Sequence, residues 1–142
     1  MEGKKYIDPT QDAGREFIMR KIQGSVVMLN LLRFREFADY SANPELAPDA
    51  PISGEQAYQI YIDETLPYLK GSGGEILFLG NGGSYLIGPP EERWDKVMLI
   101  RQHSVESFME FASNEGFLKI IGHRTAAVED SRLLPIMLHK HL

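Results

Sequence analysis

Cysteine is absent from the 142 residues of this chain, which removes disulfides, thiolate nucleophiles and cysteine metal ligands and leaves oxygen and nitrogen groups to carry any chemistry. A basic excess is missing as well. With 15 Lys and Arg against 20 Asp and Glu the net charge is −5, so nothing draws the chain toward phosphate backbones or anionic lipid, and neither nucleic acid nor membrane is an expected partner. No apolar run approaches the roughly 20 residues that span a bilayer, and residues 1–6 lack the apolar stretch of a secretory signal; a cytoplasmic location is expected. Gly80, Gly82 and Gly83 lack the Lys-Ser/Thr of a phosphate loop and the strand-to-helix setting of a dinucleotide fingerprint, and no HExxH occurs, so neither a cofactor nor a metal is expected. What remains is ordinary globular usage, 43% hydrophobic and 25% charged, enough for one core in a single domain, 1–142.

Hydrophobic periodicity then writes one pattern twice. An apolar strand at 26–34, an amphipathic helix at about 55–69 and a strand at 76–79 are followed by a strand at 97–100, a helix at 105–112 and a strand at 133–138. Ser53 and Gln56 form a capping box for the first helix, Gly71 ends it, and Pro67 should loosen its last turn. Ser104 caps the second helix, and a short helical turn through Phe117, Ile120 and Ile121 follows it. The order βαββαβ specifies an α+β fold, a ferredoxin-like antiparallel sheet at 25–142 with its helices on one face. Residues 1–24 form an N-terminal helical extension, its helix at 9–22 capped by Asp8 and ended by Gly24. Prolines 44, 48 and 51 make 36–52 a long connection. The glycines between Gly71 and Gly88 suggest tight turns around a short strand pair, with 85–87 as the return arm.

Several strands are apolar on both sides. Val26, Met28, Leu32 and Phe34 point one way and Val27, Leu29 and Leu31 the other, while 97–100 and 133–138 read alike. Helices on one face leave the second needing a cover, since monomers tolerate exposed apolar patches of only a few hundred Å². Two covers are available: the N-terminal helix, or the sheet of a second copy closing a barrel across a two-fold axis. The second is expected, because two-fold pairing is the commonest closure for such surfaces.

The stretches 27–35 (VMLNLLRFR), 94–101 (WDKVMLIR), 107–112 and 123–131 (HRTAAVEDS) resemble an uncharacterised family of the dimeric α/β-barrel superfamily. The resemblance covers most of the chain from about Val26 onward and implies a ferredoxin-like fold and a homodimer. It is similar in architecture to antibiotic-biosynthesis monooxygenases and muconolactone isomerases, whose catalytic residues find no matching motif here.

Several residues invite a chemical reading beside a structural one. Asn30 lies in register with Met28 and Leu32, as a buried amide that either ties backbone together or meets a ligand. Arg33, on the other side, either pairs with a carboxylate or holds an anionic substrate. Trp94 and Asp95 open a strand, where the ring and carboxylate form a pocket mouth or else a core residue and a turn cap. His123 and Arg124 follow the last helical turn and either satisfy its carbonyls or supply an acid, a base and an anion site. Asp95 and His123 are thus the catalytic candidates; Asn30, Arg33, Trp94 and Arg124 are the binding candidates. His139 and His141 share one side of the tail without a third metal ligand. Two functions stay open: a cofactor-independent enzyme acting on a small, partly apolar molecule, or a non-catalytic dimeric module for binding or assembly. Catalysis predicts titratable groups converging on one cavity; the second scatters or pairs them.

Overall fold

The computed structural model describes residues 4–139. Its elements run α1 (Gln11–Met19), β1 (Val26–Phe34), a 3-10 turn (Pro44–Leu46), α2 (Gly54–Gly71), β2 (Glu75–Ser84), β3 (Arg93–Gln102), α3 (Val105–Ala112), α4 (Glu115–Ile120), α5 (Gly122–Ala127) and β4 (Val128–Met137). The strands form one antiparallel sheet in the order β2-β3-β1-β4. Each βαβ unit is split by a strand of the other, β3 between β1 and β2 and β1 between β3 and β4, which is the ferredoxin-like arrangement. Among the described residues no helix is long and apolar enough to cross a membrane.

One sheet face meets the helices. Leu32, Phe34, Met98 and Val128 pack with Ala57, Tyr58 and Ile62 of α2 and Ala127 of α5. Val26 and Met28 pack with Val105, and Phe17 of α1 meets Phe108 of α3 edge to face at 5.9 Å. So α1 lies beside α3 on the helix face. That corrects one expected alternative: the N-terminal helix does not cover the second face, because Phe17 is its apolar anchor and is spent beside α3. On that second face Leu29 pairs with Leu99 and Leu134, Leu31 with Val97, Val27 with Ile136, and Phe78 with Leu99. Leu134 and Phe78 are 54% and 52% exposed there.

Local chemistry explains where elements begin. The capping box of α2 is present in full, with Ser53 Oγ accepting from Gln56 N at 3.0 Å and Gln56 Oε1 accepting from Ser53 N at 2.9 Å. The helix runs past Pro67 to Gly71. The cap of α1 is Thr10 rather than Asp8, because the Thr10 hydroxyl accepts from Ala13 N and α1 starts at Gln11. Gly80, Gly82 and Gly83 lie inside β2 instead of in turns, and 85–87 belongs to the connection, the return strand starting at Arg93. Glycine is needed at position 82 because a Cβ there would run into the Trp94 carbonyl oxygen of the neighbouring strand. β4 begins at Val128, five residues before the expected start, and its polar opening residues are engaged by the N-terminal segment: Ser131 N donates to the Tyr6 carbonyl at 2.9 Å. His123 and Arg124 lie within α5 rather than beyond the last helical turn.

The connection 36–52 is fastened at several points. Arg35 N donates to the Ala127 carbonyl (2.9 Å), Asp39 N to the Ala126 carbonyl (2.9 Å) and Ala38 N to the Ile52 carbonyl (3.0 Å). It lies against the N-terminus of α2 and against α5.

Candidate functional site

The six residues singled out from sequence fall into three places. Arg33, Trp94 and Asp95 gather where β1 ends, β3 starts and β4 begins. Arg33 Nε donates to Glu129 Oε2 (3.3 Å), and its guanidinium also reaches Asp130 (3.6 Å). Trp94, 3% exposed, donates from Nε1 to the Tyr85 hydroxyl (2.7 Å) and carries the Arg132 guanidinium 5.0 Å above its ring, the same guanidinium lying 4.9 Å over the Tyr6 ring. Asp95 uses both oxygens: Oδ2 accepts from Phe34 N (2.8 Å), fixing the strand end, and Oδ1 accepts from Arg93 Nε (3.2 Å). Burial would raise the carboxyl of Asp130, but Tyr6 N–H, Arg132 and Ser131 N–H outweigh it and hold the group below its usual range. The Lys5 hydrogen bond, helped by the charges of Lys5 and Arg33, does the same for Glu129 against a smaller effect of burial. This end of the sheet is an ion-paired clasp on the N-terminal segment.

His123 and Arg124 stand next to each other on α5 but point to different partners. The His123 ring is 6% exposed and bonded at both nitrogens, Nδ1 to the Tyr40 hydroxyl (2.7 Å) and Nε2 to Glu64 Oε2 (2.9 Å). A carboxylate only accepts, so Nε2 carries a proton; in the neutral ring Nδ1 then accepts the proton of Tyr40. Burial, and secondarily the charge of Glu64, raises the Tyr40 phenol above its ordinary value. Arg124 reaches the Ile7 carbonyl (2.7 Å) and Ser131 Oγ (3.2 Å), and its charge is felt by Tyr58 and Tyr61, whose phenols are pushed up by burial. Asn30 stands apart from both groups, half-buried on the helix face with Nδ2 donating to the Met28 carbonyl of its own strand (3.2 Å).

A cleft of about 930 Å³ opens beyond Asp95, between the start of α2, the end of β1 and the glycine-rich part of β2; Arg35, Glu36, Glu55, Gln56 and Asn81 line it with Asp95. His123 is not among its walls, so the two catalytic candidates do not share a cavity. Tyr40, Glu64 and Arg35 were not legible as site residues. Tyr40 sits in the connection where periodicity fails, and Glu64 reads as a solvent position of an amphipathic helix. His141 lies outside the described residues, and among those described no group of three or more His, Asp or Glu side chains is placed to hold a metal.

No protein-family model matches the chain, and no curated protein does. Two solved structures match over almost the whole length. The methylated RPA0582 protein is 33% identical over 96% of this chain and 97% of that one, with a TM-score of 0.85. The RPA0582 protein of Rhodopseudomonas palustris, described as a protein of unknown function, is 33% identical over 96% and 99%, with a TM-score of 0.83.

Proposed function

The chain belongs to the family of the RPA0582 protein, and from that premise we propose that it works as a homodimer, its sheets closed face to face, that binds a small, partly apolar molecule. The observation that carries the pairing is the apolar second face of the sheet. Four strands about 4.8 Å apart, each giving about seven residues of about 3.3 Å, present roughly 400 Å² of flat sheet. Leu29, Leu31, Val97, Leu99 and Leu134 lie on that area, a patch of the few hundred Å² that the largest on a monomer reaches and that is often an interaction surface. A second copy fits because the face has no excess charge of one sign to repel its equal. Its ends carry charges already neutralised within the chain, Glu75 with Arg101 at one end and Arg33 and Arg132 with Glu129 and Asp130 at the other. A two-fold axis lays such a face on itself without setting like charge against like. The molecule bound belongs in the cleft beyond Asp95, whose volume is within the usual range for small ligands.

A second reading, acid–base chemistry at His123, is favoured by the Tyr40–His123–Glu64 chain. A phenol, an imidazole and an orienting carboxylate stand in hydrogen-bond reach in the order that nucleophile, base and orienter take in catalytic triads.

Sedimentation at micromolar concentration tests the pairing. The native chain is expected at twice the chain mass and Leu134→Glu, which charges an already exposed position, at the chain mass with its fold intact. A native chain that sediments as one copy would overturn the proposal.

A further inference from the structure

The cleft beyond Asp95 contains an arginine in an unusual condition. Arg35 follows directly on β1, and its backbone is held on both sides: N–H on the Ala127 carbonyl, C=O taking the Gly54 N–H at 3.1 Å. Arg35 lines the cleft, and its Nε is buried without any hydrogen-bond partner. Every other arginine among the described residues has a partner, whether a carboxylate (Arg15, Arg33, Arg93, Arg101, Arg132) or a backbone carbonyl (Arg20, Arg124). Asp39 feels the charge of Arg35 as the least of the influences on its carboxyl, which Ser41 chiefly holds low, but makes no ion pair with it. That nitrogen is closed to solvent, so what the cleft offers a ligand is the rest of the guanidinium, its Nη groups, which no carboxylate or carbonyl among the described residues occupies.

The rest of the cleft says what kind. Asp95 is consumed by Phe34 N and Arg93, so it takes no further cation. Glu36 and Glu55, exposed at the rim, have no partner among the described residues, and Asn81 presents a free amide. One unpaired cation in the wall with two unpaired carboxylates at the mouth is the complement of a molecule bearing both signs. A dianion such as phosphate is repelled by the two rim carboxylates, and a simple amine finds no use for Arg35. We infer that the cleft binds a small zwitterion of the amino-acid type, its carboxylate on the planar fork of Arg35 and its ammonium group toward Glu36 and Glu55. The inference rests on the small-molecule reading above but not on the pairing of sheets.

The experiment follows the Arg35 Nε–H resonance of the 15N-labelled full chain during titration with L-alanine, L-leucine, acetate, methylamine and inorganic phosphate. The expected result is a saturable shift with an amino acid, at least about tenfold tighter than with acetate, methylamine or phosphate. Arg35→Gln abolishes the binding, and Glu55→Gln combined with Glu36→Gln brings the amino acids down to the level of acetate. No saturable shift with either amino acid, or equal binding of acetate, methylamine or phosphate, overturns the inference. The native resonance decides the matter even where Arg35→Gln fails to fold. Sedimentation of the same samples keeps the two readings apart: a dimer with a silent Arg35 resonance rejects the zwitterion site alone, and a single copy with a saturable shift rejects the pairing alone.

Discussion

Replacing Asp130 with Ala should cost about 2–3 kcal/mol, below the roughly 3–5 expected for breaking a fully buried ion pair. The carboxylate is 3% exposed and accepts from Tyr6 N (2.8 Å), Ser131 N (2.9 Å) and Arg132 Nη1 (2.7 Å). Not all of these donors are orphaned by its loss. Ser131 N still reaches the Tyr6 carbonyl, Arg132 keeps the Ser131 carbonyl at 2.7 Å, and Arg33 keeps Glu129. The uncompensated losses are the Tyr6 N–H, at about 1–2 kcal/mol, and a charge-assisted bond to Arg132, worth about 1 because that side chain is 40% exposed. At about 2–4 °C per kcal/mol for a chain near this size, the melting temperature should fall by roughly 5–10 °C. The sign with pH follows from the depressed carboxyl of Asp130. Its contribution is complete above the ordinary aspartate value of about 3.9 and is lost as pH falls through the lower folded value. Asp130→Asn should therefore differ from the native chain at neutral pH and converge on it in strong acid, the remaining acid sensitivity belonging in part to Glu129. Thermal and urea unfolding from acid to neutral pH read this out. A melting temperature within a degree of native at neutral pH, or a difference that persists unchanged in strong acid, would refute the account of the clasp.

Alkaline unfolding carries the opposite sign. Burial raises the phenols of Tyr58, Tyr61 and Tyr40, so their contribution is whole below the ordinary tyrosine value of about 10 and is lost as pH rises through the raised folded values. Tyr58→Phe, which gives up a weak bond to Met98 Sδ, should cost under about 1 kcal/mol at neutral pH and move the alkaline midpoint upward; an unmoved midpoint counts against it. For the His123 chain, 15N shifts of the imidazole should report a proton on Nε2 and an acceptor Nδ1, and Tyr40→Phe should weaken the fold by about 1 kcal/mol; a proton on Nδ1 of the neutral ring would remove the triad-like order. At Gly54 an added Cβ would press into the carbonyl oxygens of Arg35 and, at 2.7 Å, Ala127, so Gly54→Ala should destabilise by at least about 2 kcal/mol in urea unfolding, although a helix normally gains from that exchange.

Periodicity carries information where a face is buried by packing, and there the chain could be read: the two-sided strands, the capping box at Ser53 and the split order of the sheet. It carries none where position is fixed by hydrogen bonds between distant segments. β4 starts at Val128 because the Tyr6 carbonyl and N–H, more than 120 residues away, occupy Ser131 and Asp130, and even a local choice can turn on a single bond, as where Thr10 takes the cap of α1 from Asp8 through its hydroxyl. The same limit governs the site. His123 and Arg33 stood out as titratable groups amid apolar neighbours, yet their partners Tyr40, Glu64 and Glu129 come from elements whose approach no local pattern encodes. Arg35 stands just past the end of β1, where alternation puts it on the same side as Arg33 and says nothing of its partners. Its distinction appears only when every other arginine has been matched to a partner. Polar groups in this fold declare themselves by what they lack, so the cleft beyond Asp95 is defined less by its shape than by one guanidinium and two rim carboxylates without an ion-pair partner among the described residues.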